Sequence, residues 1–404
     1  MDVSYIDLNL TPHLKEMANE MSIVDGLPFT VNNDFSFDPT INAALMALAT
    51  PRRRSKKTWK AYSEAISLYI RFLNAQELHW LHIDTDVIHD YYRARRMSAS
   101  PHKKDGSPIS ASSWNLTVSA LDVLYSWALD KKLITHFPFN TTKARNSHSV
   151  NGMKERREVK PKRSINLTQY KEKFIPALEK SRNSQRNISL SNFLITTGCR
   201  IEETLNLDIH KLPDPDSDKY AGLRNISMNI LGKGNKTRTI KIPKHVLHEI
   251  NIYLREDRAD VIDRWETKHL SIKTNSKKHP KAIWLSERGT RLSVNSVDKI
   301  FEAASNLSGV YVHPHMLRHT FAIYTLSGLI KKIINDYIEL KNTNNKYRKL
   351  MRDPLRTLQR LMGHAYITTT YEYLDYIEEE EDYIDSTLGL WTNEIYGSQQ
   401  DNDI

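Results

Sequence analysis

His315 and Arg318 stand three residues apart in His-Pro-His-Met-Leu-Arg-His-Thr-Phe (313–321), among the apolar positions Met316, Leu317, Phe321 and Ala322. At helical spacing such a pair shares one face, so an imidazole and a guanidinium would address the same point. A guanidinium is a fixed cation whose planar fork suits two phosphate oxygens, and an imidazole gives or takes a proton near neutral pH. Taken alone, residues this common favour a helix packed through His315 and His319 with a surface arginine, at roughly two to one. Three other stretches change that balance.

The first is Thr-Thr-Gly-Cys-Arg-Ile-Glu-Glu-Thr-Leu-Asn-Leu (196–207). Gly198 turns the chain just before Arg200, while Ile201, Leu205 and Leu207 re-enter a core, so Arg200 sits on a bend where its head can be held. Glu203, three residues on, is a partner able to fix its rotamer. Cys199 reads as a small buried apolar residue, with no base in sequence reach. The second stretch is Gly-Lys-Gly-Asn-Lys (232–236), between two alternating segments, which puts Lys233 on a hairpin turn. No helix and no GK[ST] follows, so this is not a phosphate-cradling P-loop; the ordinary alternative is a solvated turn lysine. The third is Leu-Met-Gly-His-Ala-Tyr-Ile-Thr-Thr-Thr-Tyr-Glu-Tyr-Leu-Asp-Tyr (361–376), in which Gly363 ends a helix and His364 opens the next turn.

Arg200, Lys233, His315, Arg318, His364 and Tyr373 together make a coherent chemical set. Two arginines can neutralise the non-bridging oxygens of a phosphodiester, where charge builds in a pentacoordinate transition state. A tyrosine hydroxyl can attack phosphorus and give a covalent phosphotyrosine. A lysine near the leaving oxygen can protonate it, and histidines can relay or remove protons. With the arginines supplying positive charge, neither a metal nor a cofactor is expected. A metal nuclease built on His313, His315, His319 and His364 would lack its carboxylate partners.

Charge distribution supports a polyanionic partner. The 404 residues carry a net +10, but residues 1–50 hold one basic residue (Lys15) and seven acidic ones, and residues 372–404 hold eleven acidic and no basic residues. The middle, 51–371, therefore has 57 basic against 30 acidic residues, a net of +27. So large a local excess points to nucleic acid for the middle alone. One cysteine, Cys199, rules out an internal disulfide framework and fits a reducing, cytoplasmic setting. The apolar run Ala43–Ala49 is too short to span a bilayer, and neither a membrane association nor a signal peptide is expected.

The elements that would position these residues follow from periodicity. Trp59, Tyr62, Ile66, Tyr69 and Leu73 give one helical face, with Ser55 as a candidate cap. Val87, Ile88, Tyr91 and Tyr92 give a second, capped by Thr85 or Asp86, and Trp114, Val118, Leu121, Tyr125 and Ala128 a third. Residues 98–113 read as a loop. Residues 141–164 show no apolar period, eight basic and two acidic residues, and read as a linker lying along phosphates. Helices from Leu167, strands over 223–231 and 237–243, helices over 245–254 and 294–304 and a short strand at 282–285 follow. The fold class expected is an all-α N-terminal domain plus a mixed α+β, mainly helical domain with a small antiparallel sheet.

The four motifs TGCRIEETLNL, LGKGNKTRTIKIP, HPHMLRHTFA and LMGHAYITTTYEY, in this order, resemble those of the tyrosine recombinase (phage integrase) family, over roughly residues 55–375. The resemblance implies that Arg200 and Arg318 bind the scissile phosphate, Lys233 is the general acid, His315 and His364 complete the pocket, Glu203 supports Arg200, and Tyr373, nine residues after His364, is the nucleophile. It implies a site-specific integrase acting in integration or excision of a mobile element, on double-stranded DNA, as a homo-tetramer passing through a Holliday junction. Accessory DNA-bending proteins are compatible partners. The corresponding division is an acidic extension (1–50), a helical core-binding domain (51–140), a basic linker (141–164), a catalytic domain (165–385) and a tail (386–404). Arg318 and His364 are 46 residues apart, about twice the family's usual interval, which implies an insertion near 331–353. A type IB topoisomerase shares the chemistry, and a DNA-binding regulator on the same fold is the binding-only alternative. The tail's Leu388, Trp391 and Ile395 make a short apolar face suited to a neighbouring subunit or, as the alternative, to capping its own domain.

Overall fold

The computed structural model describes residues 2–8, 23–32, 35–48, 56–100, 105–138, 141–143, 149–151, 153–156, 163–232, 236–270, 280–340 and 354–374, with backbone alone at 141–143, 149–151, 268–270 and 332–340. Ser55, Lys233, Tyr376, residues 341–353 and the tail all lie outside them. The chain divides into two units, Met1–Lys160 and Pro161–Ile404. Both are mainly helical, with small two-stranded antiparallel sheets.

In the first unit the helix Lys56–Asn74 buries Trp59, Ile66, Tyr69, Ile70 and Leu73, and the helix Ala111–Asp130 buries Trp114, Val118, Leu121, Tyr125 and Ala128. These faces and Ile88 and Tyr91 of the helix Thr85–Arg96 make one core. The aromatic residues are its substance: Tyr69 meets Tyr91 edge-on at 5.0 Å, and the Tyr69 and Tyr125 hydroxyls bond at 2.8 Å, the latter donating to the Trp80 carbonyl at 3.0 Å. Burial raises both phenol pKa values, so the pair stays neutral.

In this unit three details differ from the sequence reading. The cap of Thr85–Arg96 is Asp84, whose extended backbone leaves Oδ1 free to accept from the Val87 amide at 3.1 Å; Thr85 is already helical. Within the acidic first fifty residues, strands Asp2–Tyr5 and Pro28–Val31 pair, and Asp38 caps a helix, Pro39–Ala47, that sends Ile41, Ala44 and Leu45 into the same core. In the stretch read as a linker, residues 153–156 dock on the unit's own helices. Trp114 Nε1 donates to the Met153 carbonyl at 2.8 Å, Asn115 exchanges two hydrogen bonds with the Glu155 backbone, and Arg96 grips the Glu155 carboxylate at 2.6 and 2.7 Å.

In the second unit the strands Asn225–Leu231 and Thr237–Pro243 form the expected hairpin, with Ile226 opposite Ile242, Met228 opposite Ile240 and Ile230 opposite Arg238. Its apolar face packs with Phe193 and Leu194 of the helix Ser184–Thr197, Leu247 of Lys244–Arg255, Phe301 of Val294–Ser308 and Leu317 of Pro314–Leu340. Residues 282–285 make isolated antiparallel bridges to Asp208 and Arg291 and not a strand. There the buried Arg258 donates to the carbonyls of Pro280, Ala282 and Ile283.

Candidate active site

Arg200 follows a glycine turn. The helix Ser184–Thr197 ends at Gly198, with φ +63°, and a Cβ there would lie 2.3 Å from the Phe321 ring. Only glycine both tolerates this backbone and lets the helix Pro314–Leu340 come so close. Gly198→Ala therefore adds left-handed strain of about 1–2 kcal/mol and a clash, and should lower the thermal midpoint of the folded protein. An unchanged midpoint would mean that the turn relaxes freely.

The next helix, Ile201–Leu205, carries Glu203 in its first turn. Its carboxylate accepts from the Arg200 amide at 3.0 Å, from Arg200 Nη1 at 2.8 Å and from Arg238 Nη2 at 2.6 Å. Glu203 and Arg238 keep 5 % and 8 % of their side-chain surface, whereas Arg200 keeps 32 %. One carboxylate thus orients two arginines, with Arg200 presented to solvent. Burial pulls the Glu203 carboxyl upward, but the Arg200 amide and the Arg238 charge hold it below the ordinary carboxylate value.

Arg318 is 2 % exposed. Its Nη1 donates to the Gly198 carbonyl and its Nη2 to the Met362 carbonyl. Arg238 Nη1 donates to the Leu361 carbonyl. The two carbonyls at the end of the helix Pro354–Met362, which no helical amide can satisfy, are thus taken by arginines whose charge also suits the negative end of the helix dipole. Gly363 then turns with φ +63°, and a Cβ there would lie 2.6 Å from Arg238 Cδ. Arg238 was absent from the sequence-derived set. Its signal was the strand alternation, which puts it on the inward side with Ile240 and Ile242.

His364 emerges from that turn, its Nδ1 3.0 Å from the Thr370 hydroxyl. Tyr373 lies under it, the two rings nearly parallel at 6.1 Å. The Tyr373 ring, 2 % exposed, packs with Ala322, Leu326, Leu358 and Met362, and its hydroxyl is 2.9 Å from His319 Nδ1. His319, read from sequence as a packing residue, also contacts the His315 ring edge-on at 4.5 Å, and His315 is exposed. Tyr371 is largely exposed.

The structure therefore brings Arg200, Glu203, Arg318, His315, His364 and Tyr373 into one neighbourhood and adds Arg238 and His319. Lys233 lies outside the described residues; of its neighbours, the Gly232 amide donates to the Lys236 carbonyl at 2.8 Å. Arg318 is crowded by charge: burial first, then Arg200 and Arg238, push its guanidinium down to about 10. Cys199 is buried and its thiol pushed up to about 11, which leaves it an apolar filler. Among the described residues there is no cluster of three metal-ligating side chains, and no helix long and apolar enough to cross a membrane.

Comparison with known proteins agrees with this architecture. The phage integrase family model matches residues 168–328, and the model of the phage integrase N-terminal SAM-like domain matches residues 43–132. The chain belongs to the phage integrase family, the tyrosine recombinases. A tyrosine recombinase XerD of Bifidobacterium longum (strain NCC 2705) is 29 % identical over 192 residues, which are 46 % of this chain and 49 % of the relative. The chain thus spans about half the length of the first curated relatives it matches. Two solved structures share the fold. XerH recombinase bound to a palindromic difH substrate, a post-cleavage complex, gives a TM-score of 0.51 at 16 % identity, covering 90 % of this chain and 92 % of that one. A lambda integrase tetramer bound to a Holliday junction gives 0.50 at 17 %, covering 83 % and 76 %. The matched catalytic stretch ends at residue 328, before His364 and Tyr373, so the arrangement of those two rests on the geometry above.

Proposed function

We propose that this chain is a site-specific DNA recombinase that cuts and rejoins strands through a covalent 3′-phosphotyrosyl intermediate, in the integration or excision of a mobile element. The observation that carries this reading is the charge balance of the site: Arg200 and Arg238 share one carboxylate, Glu203, while buried Arg318 donates to the Gly198 and Met362 carbonyls, near a buried tyrosine hydroxyl. Arg318, held below its ordinary pKa by burial and by its arginine neighbours, gains most from a further anion. A phosphodiester supplies one, and supplies more negative charge as it passes through the pentacoordinate state.

In this reading Arg200 and Arg318 hold the non-bridging oxygens and Tyr373 attacks phosphorus. Lys233, on the hairpin turn, protonates the leaving 5′ oxygen, and His315 and His364 border the phosphate. Glu203 and Arg238 position Arg200. The two solved neighbours are bound to difH substrate and to a Holliday junction respectively, and by analogy the working form is a tetramer on double-stranded DNA with strand exchange through a junction. The SAM-like domain (43–132) and the basic middle of the chain supply the duplex contacts, where phosphate neutralisation dominates affinity.

Cleavage by this route needs no divalent ion, because the arginines and lysine occupy the roles metals would take. A suicide substrate nicked beside the cleavage site should accumulate covalent protein–DNA adduct at the same rate in excess EDTA as in Mg²⁺. Strict dependence of adduct on Mg²⁺ would sink the mechanism.

A further inference from the structure

We propose that His319 is a catalytic residue, the group that takes the proton from Tyr373 as its hydroxyl attacks the phosphate. The inference rests on the recombinase reading above and adds to it the fate of the nucleophile's proton.

The Nδ1 of His319 lies at hydrogen-bond distance from the tyrosine oxygen, at 2.9 Å. His364 lies with its ring nearly parallel to Tyr373, 6.1 Å between centroids, and its Nδ1 is 3.0 Å from the Thr370 hydroxyl. His319 is also fixed in place: it is on the helix Pro314–Leu340, directly after Arg318, whose two carbonyl bonds pin that turn. The base and the phosphate-binding arginine are thus set on one turn of one helix, so attack and charge neutralisation are placed together.

The proton accounting closes. His319 carries its proton on Nε2 and accepts at Nδ1. As Tyr373 Oη forms its bond to phosphorus, the hydroxyl proton moves to His319 Nδ1. The bond from phosphorus to the 5′ oxygen breaks, and that oxygen leaves with a proton from Lys233. Religation runs the same steps backward, the imidazolium returning its proton to Tyr373. The imidazolium formed in between faces His315 and Arg318 on its own helix and Tyr373 across from it. The His315 ring, exposed, contacts the His319 ring edge-on at 4.5 Å.

The test uses the full chain, a suicide substrate and single-turnover formation of the covalent adduct. His319→Gln keeps a side-chain acceptor for the tyrosine hydroxyl and cannot carry the proton away; His319→Ala leaves space for an imidazole. Both variants should bind the duplex with wild-type affinity and form adduct about 10²–10³-fold more slowly, within the range general bases contribute. Added imidazole should accelerate His319→Ala and leave His319→Gln unchanged. Wild-type rates in His319→Gln would show that His319 only positions Tyr373, and absence of imidazole rescue in a DNA-binding His319→Ala would also overturn the proposal. No adduct with the wild-type chain would instead reject the recombinase reading on which it rests.

Discussion

Tyr373→Phe should abolish covalent adduct formation and strand exchange while leaving duplex binding within about two-fold of wild type. The substitution deletes one oxygen. That oxygen is the proposed nucleophile, so no slower route through the same site remains. Binding is carried by many phosphate contacts, to which one buried hydroxyl adds little. Folding should be preserved, because the ring stays among Ala322, Leu326, Leu358 and Met362. Loss of the hydrogen bond to His319 costs about 0.5–1.5 kcal/mol. Peptide mapping of a trapped wild-type adduct is the direct check, with Tyr371→Phe as the control. Tyr371 is largely exposed and turned out of this cluster, so its removal should leave the adduct in place. Label recovered on Tyr371 or Tyr376 would overturn the assignment.

Much of this site was legible in the chain because its positions are set by local rules. Gly198 and Gly363 are left-handed turns that release a helix just before Arg200 and His364, and glycine at the end of a periodic run announces such turns. His315 and Arg318 sit on one face because a helix puts them there. Arg238 and His319 were harder to read for a shared reason: their partners are distant in sequence. Arg238 is 35 residues from Glu203 and 123 from Leu361, and His319 is 54 from Tyr373. An arginine inward on a strand and a histidine beside an arginine carry no short-range sign of what they touch. The same limit hid the pairing of Asp2–Tyr5 with Pro28–Val31, and the docking of Glu155 on Arg96 across 59 residues. Hydrophobic period reveals which face is buried, not which polar group waits there. Part of the long interval between Arg318 and His364 is accounted for by the length of the helix Pro314–Leu340; residues 341–353 lie beyond what the structure describes.

Replacing Glu203 should have the largest effect on stability. Its carboxylate is the one counter-charge that Arg200 and Arg238 share, and with Arg318 three guanidinium groups stand close together. Glu203→Ala leaves Arg238 buried and without its carboxylate, and breaking a buried pair in this way costs about 3–5 kcal/mol. For a unit of this size each kcal/mol moves the melting temperature by about 2–4 °C, so a fall of roughly 6–20 °C is expected. Cleavage should drop at least about 10²-fold in the protein that remains folded, because Arg200 loses the partner that aims it and a misplaced binding group is that costly. Glu203→Gln separates charge from shape. Since the Glu203 carboxyl is held below its ordinary value in the folded protein, its contribution is present above the usual carboxylate range and is lost as pH falls through the depressed value. Wild-type stability should therefore fall more steeply in acid than that of Glu203→Gln, which has no proton to take up there. Parallel acid limbs for the two proteins, measured by denaturant midpoint against pH, would show that the carboxylate's charge does not hold the arginines.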